Sequence, residues 1–212
     1  MNTKLLKNFL ITATAALGLA TLVRADVPLE NKEPLQSTTA VGQGLLGQQY
    51  ANLTYTYIDL SGTSAHADDY TFAFNQPLNT GLDAIFSYDY TRANSLSQHN
   101  LMAGLRAFSD HYAWGKPYVE ASAGYAQERV AGVRDDSFVW GVGVGAEFQV
   151  APAFTVTPSV GYKKAPDLAG SGTWTYGVKA NYWIDSQWSV TAGISRDDNS
   201  NNMFTVGTNF RF

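Results

Sequence analysis

No cysteine occurs anywhere in the 212 residues, which removes disulfides, thiolate chemistry and cysteine-bound metal, and excludes a lipid-modified cysteine after a leader. Charge is scarce: 15% of the residues carry it against 45% that are hydrophobic, low for a chain whose only solvent is water. What charge there is sums to -4, so there is no basic field of the kind that nucleic acid needs, and that function class is excluded. Beyond the first thirty residues no long apolar run remains, which argues against α-helical membrane spans. What is abundant is aromatic and glycine content, with 12 tyrosines and 19 glycines, and this favours a β architecture. The length leaves room for one domain.

The N-terminus reads as a secretory signal. Lys4 and Lys7 precede an apolar stretch from Phe9 to Val23, and Val23-Arg24-Ala25 offers small residues at the cleavage positions. That stretch of roughly fifteen residues falls short of the roughly 20 of a spanning helix, so residues 1–25 are assigned to a cleaved leader. Residues 26–47, with Pro28, Pro34 and mixed charge, read as a periplasmic lead-in to which no chemistry is assigned. The folded domain is expected over 48–212.

From Tyr50 onward the chain alternates with period two in about ten-residue segments separated by turn-rich breaks, the pattern of strands crossing a bilayer. Ten segments are counted. Leu53, Tyr55 and Tyr57 share one face of the first, and Leu82, Ala84, Phe86, Tyr88 and Tyr90 one face of the third. The expected fold is therefore all-β: a closed antiparallel transmembrane barrel of ten strands, with eight as the alternative. Tight connections at Asn79–Gly81, Ala151–Ala153 and Asp185–Gln187 fall on one side and longer ones, such as Glu128–Asp136 and Asp197–Asn202, on the other. Ser109–Lys116 is too long for this rule and is the weak point of the count. Pro158 lacks the N–H that a closed ladder needs, so a local irregularity is expected there.

The apolar face sorts by depth. Tyr57, Tyr70, Tyr88, Tyr125, Phe138, Tyr162, Trp174 and Phe204 lie toward the long loops, and Phe74, Phe148, Phe154, Tyr182, Trp188, Phe210 and Phe212 toward the short turns. Leu105, Val142, Val178 and Val206 lie between. Two aromatic girdles around an aliphatic belt are what headgroup boundaries select and what a soluble sandwich has no reason to build.

The alternate positions are polar. Asn52, Thr54, Thr56, Asp89, Thr155, Thr157, Asn181 and Arg211 are among them, with Asp83, Arg106, Glu120, Glu147 and Lys179 as a charged cluster. Folding adjacent strands brings Arg106 beside Glu120 and Asp83 near Arg106. Such a cluster serves either as a constriction that selects ions or as a paired network that plugs a narrow lumen. Inward glycines, among them Gly104, Gly124, Gly143, Gly177 and Gly207, relieve crowding where the wall bends.

The chain ends Thr205-Val206-Gly207-Thr208-Asn209-Phe210-Arg211-Phe212, with glycine and two aromatics at its close. This resembles the terminal assembly signal of Gram-negative outer-membrane barrels, and with the leader and alternating segments the likeness is to the OmpA-like and opacity-porin-like class. The resemblance implies export to the outer membrane, outer-membrane lipids as surroundings, and insertion by the barrel-assembly machinery with Gly207, Phe210 and Phe212 as recognition residues. The apparent ten strands depart from the eight usual in that class, and no peptidoglycan-binding domain follows. No cofactor or metal is expected.

Catalysis finds weak support. His66 beside Asp68 and Asp69 is the best approximation to a base with carboxylates. It falls in what reads as a polar loop, without a second acid pair, and His99 and His111 add nothing to it. The 197–202 loop lacks the spacing of a calcium loop. A non-catalytic protein is expected. It is read as a narrow porin-like channel for small solutes or ions, with a plugged structural or adhesive barrel as the alternative and a surface hydrolase last.

Overall fold

The computed structural model describes residues 44–112, 114–168 and 172–212; the leader and the lead-in up to residue 43 lie outside the described residues. Ten strands follow in order: β1 Tyr50–Asp59, β2 His66–Asn79, β3 Leu82–Ala93, β4 Leu96–Phe108, β5 Lys116–Val130, β6 Val133–Ala151, β7 Phe154–Lys164, β8 Thr173–Trp183, β9 Trp188–Asp197 and β10 Asn202–Arg211. Each pairs antiparallel with its chain neighbour, and β1 closes on β10 from Tyr50↔Arg211 to Asp59↔Asn202. Ten strands, not eight, make the wall. Closure leaves no ladder edge, which is what hydrocarbon demands of a spanning sheet.

Most of the large apolar residues expected on the outer face stand exposed on it, while Ala84 is covered by its neighbours. Leu53, Leu105, Val142 and Val206 stand 56%, 51%, 46% and 57% exposed on the outside of the wall, a pattern that is unfavourable in water and ordinary in a bilayer. The girdles pack as rings: Trp140, Tyr162 and Trp174 succeed one another at 5.5 and 5.0 Å at the long-loop end. Trp188, Phe210, Phe212 and Phe74 do so at 4.8, 5.1 and 6.0 Å at the other.

Three local expectations are corrected. Glu128–Asp136 is not a loop. The β5–β6 ladder runs on through Glu128↔Asp135 to Val130↔Val133 and turns on Ala131 and Gly132, both at positive φ, a primed hairpin turn that matches the twist of the strands. Charge made the segment read as solvated, yet alternation continues through it. His66, Asp68 and Asp69 likewise belong to β2, where Tyr57, Thr56 and Asp59 of β1 stand across the ladder. Long loops are also not universal on their side, since β3 and β4 are joined through Asn94 alone at positive φ and Ser95. The long 109–115 connection on the short-turn side is present as expected. Opposite Pro158 the β6–β7 ladder skips from Gly145↔Ser159 to Phe148↔Val156 without losing register, the gap its missing N–H requires.

Candidate functional site: the lumen and its two mouths

The polar positions assigned to the inner face alternate with the exposed belt, and most of them, Asn52, Thr54, Thr56, Asp89, Thr157 and Asn181 included, line a cavity of about 800 Å³ inside the barrel. Three features divide this lumen.

At the short-turn mouth the chain leading into β1 crosses the opening. The Leu45 N–H donates to Glu147 Oε2 at 2.7 Å and the Leu46 N–H to Oε1 at 3.5 Å, while the Gly47 N–H donates to Asp83 Oδ2 at 3.0 Å. From below, Asn75 Nδ2 donates to the Gln48 carbonyl at 2.7 Å, Lys116 Nζ to that of Leu46 at 3.5 Å and an Arg211 nitrogen to that of Gly44 at 3.3 Å. Leu46 is buried beneath this strap. A second cavity of about 680 Å³ lies on its far side, sharing Leu46 and Glu147 with the first. Residues 44–47, to which the sequence assigned no chemistry, thus close the mouth. Their signal was indirect: Asp83 and Glu147 stand opposite Arg106 and Lys116 in the ladders, yet Arg106 already has Glu120 on its other side.

In the middle, Arg106 donates from Nε and Nη2 to Glu120 Oε2 at 2.9 and 2.8 Å, as the β4–β5 register dictates. Asp83 stands opposite Arg106 in the β3–β4 ladder, yet its carboxylate goes to the strap. The expected cluster of five therefore separates into the Arg106–Glu120 pair, the two strap carboxylates, and Lys179. Lys179 projects exposed into the cavity and makes no hydrogen bond or ion pair among the described residues.

At the long-loop end Asp69 accepts from the Thr91 hydroxyl at 2.6 Å, and the one hydroxyl proton of Thr71 is shared between Asp69 Oδ2 and Asp89 Oδ1, each at 3.1 Å. Lys163 Nζ reaches Asp89 Oδ2 at 3.3 Å. Beside them Leu168, from the β7–β8 connection, turns inward onto Met102, Ala126 and Val139, an apolar knot in an otherwise polar lumen. The three inward apolar residues were the available signal for it.

The hydrolytic set is not assembled. Asp68 and Asp69 are neighbours on one strand and so face opposite sides of the wall: Asp68 accepts from the Tyr55 hydroxyl at 2.7 Å outside, Asp69 from threonines inside. His66 lies stacked on Tyr57 at 5.3 Å, and His99 accepts or donates at Nδ1 with the Tyr88 hydroxyl at 2.8 Å on the outer wall. Gly207 faces inward against Thr54, and Phe210 and Phe212 complete the short-turn girdle.

Fold and lumen together define a class: a small transmembrane β-barrel with a polar, partly filled interior. No family model matches the chain, and no curated protein is similar to it. Among solved structures it is similar to the NanC porin, with 10% identity over 76% of this chain and 100% of that one at a TM-score of 0.47. It is similar too to the KdgM porin in complex with disordered oligogalacturonate, with 12% identity over 76% and 99% at 0.44. Neisserial surface protein A gives 14% identity over 77% and 96% at 0.44. At these identities the likeness is one of barrel architecture; what each of those proteins carries or binds belongs to its own lumen and loops.

Proposed function

We propose that the protein is a narrow porin-like channel of the bacterial outer membrane, passing small hydrophilic solutes or ions, with the 44–48 strap as the occlusion of its periplasmic mouth. The observation that carries this is the cavity of about 800 Å³ inside the barrel, lined by charged and hydroxyl side chains among apolar ones and within the volume range of about 300–1,000 Å³ that holds small solutes. A barrel built only as a membrane anchor has no need of that space, nor of a lysine left in it without a partner. Six carboxylates, of Asp69, Asp89, Glu120, Glu128, Glu147 and Asp197, line it against Arg106, Lys163 and Lys179, so cations are the favoured traffic. The C-terminal residues Gly207, Phe210 and Phe212 are read as the assembly signal, and the leader as the means of export.

The second reading, a plugged barrel acting through its loops, is favoured by the strap and by the closed Arg106–Glu120 pair. Conductance of the refolded protein in planar bilayers separates the two. Reproducible steps that enlarge or change selectivity on Arg106→Ala support the channel. Silence in both, with insertion demonstrated by a heat-dependent gel shift, supports the plugged barrel.

A further inference from the structure

On the lipid-facing side of the wall, near the tips of the β3–β4 and β5–β6 hairpins, one ladder row runs Arg92↔Ser97↔Arg129↔Arg134 across four consecutive strands. With strands about 4.8 Å apart, the three guanidinium groups cover a front of about 15 Å. All three arginines are exposed, and Arg92 and Arg129 make no hydrogen bond or ion pair among the described residues. The acid facing Arg92 across the ladder, Asp68, is engaged by the Tyr55 hydroxyl, and Arg134 holds Asp136 at 3.2 Å.

Two features make this more than scattered surface charge. Arg129 and Arg134 stand directly opposite each other on the same face, a like-charge pairing that destabilises a ladder unless an anion lies between them. Of the three acids in the hairpin only Asp136 shares the arginine face. Glu128 and Asp135, paired one step earlier, point to the opposite side of the sheet, away from the arginines. The height is equally specific. Four residues further into the wall the same strands present Tyr88, Leu101, Tyr125 and Phe138, the outer girdle and belt. Tyr90, stacked on Tyr70 in the same girdle, lies two residues from Arg92, so the arginines stand about 7 to 13 Å along the strand from the girdle, less when tilted, which is the level of headgroup phosphates. At the other rim the basic groups Lys116 and Arg211 turn inward to the strap, so the outward row belongs to one leaflet only.

We propose that this row is a binding surface for a phosphate-bearing lipid headgroup of the leaflet on the long-loop side, bridging Arg92, Arg129 and Arg134. Paired arginine forks suit phosphate oxygens, and two well-separated phosphates on one headgroup would span the row. The surface requires only that the wall sits in a bilayer and is independent of conduction.

The test is native mass spectrometry of the refolded full chain in neutral detergent, titrated with diphosphorylated lipid A and with the same lipid after enzymatic removal of its phosphates. The wild type should retain the phosphorylated lipid and the Arg92→Gln/Arg129→Gln/Arg134→Gln variant should bind it about a hundredfold more weakly, at about fivefold per arginine. The inward control Glu128→Gln should bind as the wild type does. Equal retention of both lipids, or of the phosphorylated lipid by wild type and triple variant, overturns the proposal. So does displacement by equimolar inorganic phosphate, which would make the row a free-anion site. Should the triple variant not fold, Arg92→Gln/Arg129→Gln, which keeps the Arg134–Asp136 pair, carries the same comparison. A heat-dependent gel shift on each sample shows whether the barrel stands, so a lost lipid is not mistaken for a lost wall.

Discussion

The two mouths of the barrel hold inward carboxylates in a narrow lumen by different means. At the short-turn mouth Glu147 and one carboxylate oxygen of Asp83 accept from backbone N–H groups of residues 45–47, so the chain fills the opening with its own main chain. At the long-loop mouth Asp69 and Asp89 are held by Thr71 and Thr91 on the wall and by Lys163, whose side chain reaches Asp89 from β7, four strands round the barrel. One mouth is thus crossed by main chain, the other by a single side-chain ion pair between distant strands of the wall. The closure is local, since none of the three amides that engage the carboxylates belongs to the ladder that closes the wall.

The comparison presumes one intact wall between the mouths, and the largest effect comes from breaking it. A Cβ on Gly124 would collide with the Leu101 carbonyl and lie 2.8 Å from the Met102 Cα, so Gly124→Val should cost upward of about 3 kcal/mol and abolish the heat-dependent gel shift. At Gly161 the nearest neighbour of a new Cβ is the Val142 carbonyl at 3.6 Å, an ordinary contact, and Gly161→Ala should fold normally. If both variants fold alike, the inward glycines are not relieving close approach.

Next in size is release of the strap. Glu147→Gln with Asp83→Asn weakens the acceptors of the three strap N–H groups. Charged acceptors are worth roughly twice neutral ones, so the strap should detach part of the time and single-channel conductance should rise severalfold with frequent transitions. The matching change at the other mouth, Asp89→Asn, should leave the conductance level close to that of the wild type and alter only selectivity. Equal conductance in all three proteins would mean that the strap is not the barrier. Smaller again is the effect of Lys179, whose charge faces the cavity unpaired. Lys179→Glu should shift the reversal potential in a salt gradient toward stronger cation preference without changing the gel shift.

Much of the wall was legible in the sequence, because a period of two leaves no freedom: once Leu53, Tyr55 and Tyr57 meet lipid, Asn52, Thr54 and Thr56 must face inward. The Arg106–Glu120 pair followed from register alone. Long-range and end effects were not legible. Nothing in the sequence near residue 45 says that its amides will meet Glu147, 102 positions away, and nothing in the 165–172 connection says that Leu168 will fold inward onto Met102. Charge density also misled at Glu128–Asp136, where ladder pairing outweighs solvation and the charges part to the two faces of a hairpin.

The smallest effect expected lies in a turn at the short-turn mouth, outside the lumen. Asp185 accepts from the Gln187 and Trp188 N–H groups, both at 2.7 Å, in the β8–β9 connection. The Trp188 and Gln187 amides, which prefer the ionised acceptor, hold its carboxyl below the usual carboxylate range. With the folded value below the unfolded one, the bonus is complete above the ordinary aspartate value of about 3.9 and is lost as pH falls through the depressed one. The heating midpoint of the gel shift should therefore drop slightly more for wild type than for Asp185→Asn between pH 5 and pH 3, windows set by that value. The group is fully exposed, so added salt should shrink the difference. Should the two proteins follow the same pH curve, the turn is held by its backbone geometry alone, and the tight short-turn side owes nothing to this charge.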